Sequence, residues 1–293
     1  MVGAGILNGN FKFRFSCISS QARSPLPVKP TTVRMPNPHP YWASLQADIE
    51  AHLKEAIPTK EPLEVFEPMR HLVFAAPQTT VPVLCLAACE LVGGQRHQAM
   101  AAASALLLNL ANAHAHEHLP EAERPEPEPG HAYGPNIELL SGDGIVPFGF
   151  ELLARSDGPG HGNSERTLRV IIEISRAVGS GGLVEAQYMK KMLEAQLELR
   201  HVELMERVLE KKEGGLHACG AACGAVLGGG TEEEIETLRK FGFCVGMIRG
   251  MLQTGLREQD EQVEEMRNLA LNQLQFFKDR DLDVISSFIN FYF

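Results

Sequence analysis

Apolar and polar positions along this chain repeat at helical spacing almost from end to end, and no stretch reads convincingly as a strand. In YWASLQADIEAHLKEAI, Tyr41/Trp42, Leu45, Ile49 and Leu53 keep one apolar face, and Pro58 ends the run. A second helix is expected over Pro68–Ala75, broken by Pro77. From Val83 to Pro120 the pattern predicts two helices joined by a turn at Gly93-Gly94. The second is rich in Ala and Leu from Ala99 to Ala111 and apolar on nearly every face, which places it in the middle of a protein. It ends in His114, His116, Glu117 and His118, so the polar end of a central helix opens where ligands can be held.

The acidic, Pro-rich EAERPEPEPG is an extended loop. A helix is expected over Ile137–Leu153, carrying SGDG, before the loop SDGPGHGNS. Another covers Glu165–Val178 and stops at Gly179–Gly182. Leu183–Lys212 is a charged amphipathic run, helical throughout or interrupted once. LHACGAACGAVLGGG is a small-residue helix that permits very close backbone approach. Thr231 and Glu234 form a capping box for TEEEIETLRKFGFCVGMIRGML. REQDEQVEEMRNLALNQLQFFKD is the last strong helix, and the apolar tail DVISSFINFYF is expected to dock on the core or on a neighbour. The sum is an all-α chain of about nine or ten helices.

Composition adds constraints. Of 293 residues 44% are hydrophobic but only 6% aromatic, so the core is built of Ala, Leu, Val and Met, which suits close helix–helix packing. A net charge of −10 argues against nucleic acid as a partner. No apolar run reaches the roughly 18 residues of a membrane span. Residues 1–47 hold no acidic side chain, yet they contain Lys12, Arg14, Arg23, Lys29 and Arg34 among several hydroxyls. That is the composition of an organelle transit peptide, or else of a basic tail. Residues 1–40 are thus read as a leader and 41–293 as a single helical domain.

The six cysteines include two Cys-x-x-x-Cys pairs, Cys85/Cys89 and Cys219/Cys223. On a helix such residues have Cβ atoms roughly 5–6 Å apart, beyond the reach of a disulfide. Free thiols imply a reducing compartment such as cytosol or stroma. Two thiols one turn apart also make a small, soft packing stripe. A zinc site is a weaker reading, because this spacing on separate helices is not that of the usual knuckle.

The segments MRHLVFAAPQTTVPVLCLAACELVGG, HEHLP, LSGDG, EISRAVGSGGL and AVLGGGTEEEIETLRKFG resemble the all-trans short-chain prenyl diphosphate synthases, over almost everything from about Tyr41 to Leu274. The resemblance implies an all-α isoprenoid synthase (prenyltransferase) helical bundle. In that family two Asp-rich motifs hold the Mg²⁺ that carries an allylic diphosphate, because a hard cation needs carboxylate and phosphate oxygens. Here the first motif falls on Glu117, His118 and Glu123, and the second on Gln253, Thr254 and Arg257. The Gly-Gly-Lys-Arg clamp for isopentenyl diphosphate falls on Ala76, Pro77, Gln78 and Thr79, and its following Arg on Val81. The paired arginines after the first motif have no counterpart in RPEPEPG. Lys212 persists of the family's cations, beside Glu213. Asp143 in SGDG matches a structural position, expected to be hydrogen-bonded within the bundle.

Such combined losses resemble one branch of the family, the small subunits of plant heteromeric geranyl diphosphate synthases. The resemblance implies a non-catalytic regulatory subunit in the plastid (chloroplast) stroma. It would pair, as heterodimer or heterotetramer, with a geranylgeranyl diphosphate synthase-like large subunit and shift that partner's product to C10. It would need no metal or cofactor of its own, Mg²⁺ being held by the partner. The branch also carries two Cys-x-x-x-Cys motifs implicated in subunit association, matching Cys85, Cys89, Cys219 and Cys223. Docking is expected through the central helices, with the Met189–Lys212 rim able to reach the partner. Two rivals stay open. One is a weakly active prenyltransferase using Glu117, Glu123 and Lys212. The other is a scaffold that leaves the products unchanged.

Overall fold

The computed structural model describes residues 40–117, 133–156, 163–195, 201–254 and 260–290. Among them are twelve α-helices and no strand. The first four are α1 (Pro40–Ala56), α2 (Leu63–Ala75), α3 (Val81–Leu91) and α4 (Arg96–Glu117). Next come α5 (Pro135–Ser156), α6 (Ser164–Val178), α7 (Leu183–Glu194) and α8 (His201–Leu209). The last are α9 (Gly215–Gly228), α10 (Glu232–Thr254), α11 (Asp260–Leu274) and the short α12 (Asp283–Ser287). No described helix is long and apolar enough to cross a membrane. The basic leader lies outside the described residues.

Helix α1 buries Trp42, Leu45, Ile49 and Leu53, the face expected from its spacing. Helix α2 begins five residues before the predicted start and takes Pro68 into its interior. The carbonyl that Pro68 cannot bond belongs to the exposed Glu64, so the missing N–H is tolerated there. Helix α4 is the central rod, and its buried side includes Ala99, Ala102, Ala103, Ala105, Leu106 and Leu108.

The tightest packing surrounds α9, which lies between α3 and α10. Along α9, Gly220, Gly224 and Gly228 recur every fourth residue. A Cβ on Gly220 would stand 2.8 Å from the Val81 carbonyl, and one on Gly228 2.6 Å from that of Cys89. One on Gly224 would fall inside the Cys85 carbonyl. Helix α10 repeats the device with Gly242, Gly246 and Gly250, laid against His217, Glu213 and the Leu209 and Glu213 side chains. Where the neighbour is backbone, as at all of these but Gly250, such approach is open only to residues without a side chain.

The predicted run to Lys212 is interrupted after α7. It resumes as α8 and widens into a π-helical turn, Glu210–Gly214, that feeds α9 without a break. Gly246 and Gly250 of α10 make the room for this turn. Helix α9 ends at Gly229, whose φ of +82° is left-handed, and α10 opens with the expected capping box. The Glu234 amide donates to the Thr231 hydroxyl at 3.2 Å, and the Thr231 amide to the Glu234 carboxylate at 2.7 Å. Arg280 ties the C-terminal segment to Glu234 and, at 2.8 Å, to the Leu91 carbonyl. The tail docks on the core as expected. Ile285, Phe288 and Ile289 are buried, and the Phe288 ring lies 4.0 Å from that of Trp42.

Candidate functional site

The α2–α3 loop, the end of α4, the start of α7, the π-helical turn, the start of α9 and Arg249 of α10 line an open cavity of about 180 Å³. Its walls are apolar at Val81, Leu110, Leu183 and Leu216, and charged where Glu117, Lys212, Glu213 and Arg249 enter. The structure therefore brings together Gln78, Thr79, Val81, His114, Glu117 and Lys212, which the sequence singled out separately. His118, Glu123 and Arg257 lie outside the described residues.

Glu117 ends α4 with its side chain only 13% exposed. Lys212 Nζ donates to both of its carboxylate oxygens, at 2.7 and 3.0 Å, and Lys190 of α7 donates to one of them. Burial alone would raise the Glu117 carboxyl, but the hydrogen bonds from Lys190 and Lys212 outweigh it and hold its pKa at about 2. Gln187 of α7 donates to the Ala113 carbonyl at 2.9 Å, so α7 closes over the last turn of α4.

Beneath this rim, the buried Thr80 and His217 meet at 2.8 Å. The His217 Nδ1 lies 2.7 Å from the Glu213 carbonyl, which can only accept. Nδ1 thus carries the proton, and Nε2 accepts from the Thr80 hydroxyl. Burial and the nearby Arg249 charge push His217 down to about 3, keeping it neutral. Glu213 is pushed up by burial despite Arg249, 3.8 Å away, and Lys212.

These residues do not suit Mg²⁺. Glu117, where the sequence leads one to expect the first Asp-rich motif, already faces two ammonium groups that repel a cation. Where the second motif is expected, Gln253 is exposed, and the Thr254 hydroxyl donates to the Met251 carbonyl at 2.6 Å. Neither offers a charge. No group of three or more His, Cys, Asp or Glu among the described residues is placed to hold a metal. Glu117 and His217 are also both far from a pKa at which either would shuttle protons near neutrality.

The four paired cysteines are free and buried, on the facing helices α3 and α9. The Cys219 and Cys223 sulfurs are 3.8 Å apart, and burial holds Cys85 well above, and Cys89 at about 12 against, the ordinary thiol value. All four are buried within the chain, though Cys219 also reaches the wall of an open pocket beside Glu173, Arg176 and Arg239. Asp143 departs from expectation as well. It is 66% exposed and reaches only His116, at 3.9 Å, too far for a hydrogen bond. In the same segment it is Gly142 that meets the bundle, pressed against the Asn112 side chain.

Sequence reasoning did not single out Lys190, Thr80, His217 or Arg249, nor the Gly242/Gly246/Gly250 stripe. The stripe had a legible signal in its fourfold spacing, whereas the others depend on contacts between distant segments.

The chain is 49% identical over 258 residues to a heterodimeric geranylgeranyl pyrophosphate synthase small subunit 2 of Cannabis sativa, covering 85% of this chain and 90% of that one. The chain belongs to the small-subunit family of heteromeric prenyl diphosphate synthases. Two solved structures carry the same fold. One is the geranyl diphosphate synthase small subunit of Antirrhinum majus, with a TM-score of 0.77 at 48% identity, covering 86% of this chain and 98% of that one. The other is a chain of a mint deletion mutant of heterotetrameric geranyl pyrophosphate synthase in complex with ligands. It has a TM-score of 0.76 at 49% identity and covers 85% and 99%. No protein-family model matches. The all-α isoprenoid synthase bundle read from the sequence is the fold of this small-subunit family member.

Proposed function

We propose that this chain is a non-catalytic regulatory subunit. It pairs with a geranylgeranyl diphosphate synthase-like large subunit in the plastid stroma and directs that partner's product to C10 geranyl diphosphate for monoterpene synthesis. Mg²⁺ and the chemistry belong to the partner. One observation carries this reading: the carboxylate that begins the first metal motif is spent on Lys190 and Lys212. The names of the relatives, heterodimeric and heterotetrameric, chloroplastic for the Cannabis protein, support the partner and the compartment.

The docking surface differs from the one expected. Helix α3 is buried along almost its whole length and α4 has no exposed large apolar side chain, so neither offers an apolar face to a partner. Exposed apolar side chains instead follow helical spacing on α5, α6 and α7: Ile137 and Leu140, Leu168 and Ile172, Val184 and Tyr188. Helix α6 contacts both α5 and α7. An apolar outer face of this kind is the ordinary mark of an interaction surface, and the large subunit is its proposed occupant. The cysteine pairs support assembly indirectly, by setting how closely α3 and α9 approach.

The test is a product profile with isopentenyl and dimethylallyl diphosphates and Mg²⁺, for the chain alone and co-expressed with a geranylgeranyl diphosphate synthase. The expected result is silence alone and C10 product together. Turnover by the chain alone would identify a weakly active prenyltransferase. Assembly without a change of product would identify a scaffold.

A further inference from the structure

Two lysines from different elements, α7 and the π-helical turn, converge on one carboxylate at the end of a third, α4. That carboxylate stands at a helix C-terminus, where the backbone dipole disfavours negative charge. The ammonium groups must therefore supply the attraction that keeps it there. Lys190 has a second, looser partner in Glu194 at 3.8 Å, but Lys212 bonds both oxygens of Glu117. Behind the pair lies the cavity, with Leu110, Leu183 and Leu216 in its wall. Without Glu117, Lys212 in the cavity wall and Lys190 beside it would stand together at a cavity that also holds Arg249 and Glu213, and a pair of ammonium groups is the chemistry that recognises a diphosphate.

We propose that Glu117 is a resident anion: its carboxylate fills the anion-binding position built by Lys190 and Lys212, and so keeps diphosphates out of this chain's own cavity. The same carboxylate that cannot serve a cation thus also removes the cations that would serve an anion. The proposal rests on the non-catalytic reading and states how that silence is enforced. It assigns it to one side chain rather than to the sum of missing aspartates. It also gives α7 a role, since Lys190 and Gln187 lock the end of α4 from outside.

The experiment is calorimetric titration of the full chain with inorganic pyrophosphate, comparing wild type, Glu117→Gln, and Glu117→Gln combined with Lys212→Gln. Glu117→Gln should bind at least about tenfold more tightly than wild type, because a charge-assisted site has been vacated. Adding Lys212→Gln should remove the gain. Equal binding by wild type and Glu117→Gln, or a gain that survives the loss of Lys212, would overturn the proposal. A measurement on wild type covers the case in which Glu117→Gln does not fold. Lys212 should be acylated by an amine-reactive reagent several-fold more slowly than the exposed Lys191, and equal rates would also overturn it. Turnover of allylic substrate by the wild-type chain would instead defeat the non-catalytic reading, in an assay independent of the titration.

Discussion

Between α3, α9 and α10 the chain is held by backbone lying on backbone, whereas at the end of α4 it is held by charge. The seam depends on glycines laid on backbone, Gly220, Gly224 and Gly228 of α9 with Gly242 and Gly246 of α10, and on the small side chains between them. The rim depends on Glu117, Lys190 and Lys212, reaching one another across gaps of 73 and 95 residues. The seam is limited by volume, so any added atom separates helices whatever its chemistry. The rim is limited by charge balance, so its chemistry can be rewritten while the bundle stands. The π-helical turn belongs to both: Lys212 faces the rim, while Glu213 bonds His217 behind it and is overlain by Gly246 and Gly250. Frame and rim are thus separable parts of one bundle.

The sharpest way to break this contrast is at Gly224. Gly224→Leu drives a side chain into the Cys85 backbone, and should lower the unfolding free energy by about 3 kcal/mol or more. Gly144→Ala on α5 meets nothing within 4 Å and should change it by no more than about 1 kcal/mol, in the stabilising direction. Urea unfolding compares the two. Similar midpoints would remove the claim that the seam is held by backbone contact.

Acid probes the boundary between seam and rim. The His217 pKa of about 3 is depressed from its ordinary 6.5, so the unfolded chain binds the extra proton between these values. Its contribution is complete above pH 6.5 and is lost as pH falls towards 3. Glu117, depressed to about 2, keeps its contribution above its ordinary 4.5 and loses it only below that. Glu206 on α8 acts oppositely. It is pushed up to about 7 by burial and by Glu210 and Glu203, so what it contributes in acid is lost as pH rises through 7. The His217 share is isolated by subtracting the profile of His217→Gln from that of wild type. That difference should shrink by about 2 kcal/mol between pH 7 and pH 5. A constant difference would mean that the Thr80–His217–Glu213 network is not buried as described.

What the sequence disclosed follows the same division. Trp42, Leu45, Ile49 and Leu53 announce α1, and Thr231 with Glu234 announces α10, because each signal is complete within one or two turns. The small-residue character of α9 was equally plain. The matching stripe on α10 was hidden among larger residues in FGFCVGMIRG, whose capping and periodicity drew the reading instead. Pairings across the fold were not legible. Glu117 and Lys212 were both singled out, yet as a lost ligand and a surviving cation, or as joint remnants of a relaxed metal site. That they neutralise each other appears only once α4 and the π-helical turn are brought together. Asp143 misled for the same reason, since spacing does not say whether a position faces the bundle or solvent.

The smallest effect on folding, and the finest test of the contrast, compares two places where a partner's influence has been assigned. Cys219→Ser with Cys223→Ser puts hydroxyls into the buried α3–α9 seam, and should lower stability by about 1–2 kcal/mol. Assembly with the large subunit should weaken only as far as the fold does, because those sulfurs face the chain's own interior. Leu168→Asp with Ile172→Asp changes side chains that are 58% and 41% exposed on α6. Stability should move by less than about 1 kcal/mol, since surface substitutions seldom do more. Co-purification with the large subunit should nevertheless be lost, because two carboxylates would be desolvated without partners at an apolar contact. Urea unfolding and size-exclusion chromatography of the co-expressed pair read both quantities on the same samples. Loss of assembly by the cysteine variant at full stability, with assembly intact in the α6 variant, would place the partner on the seam and reverse the roles given to interior and surface.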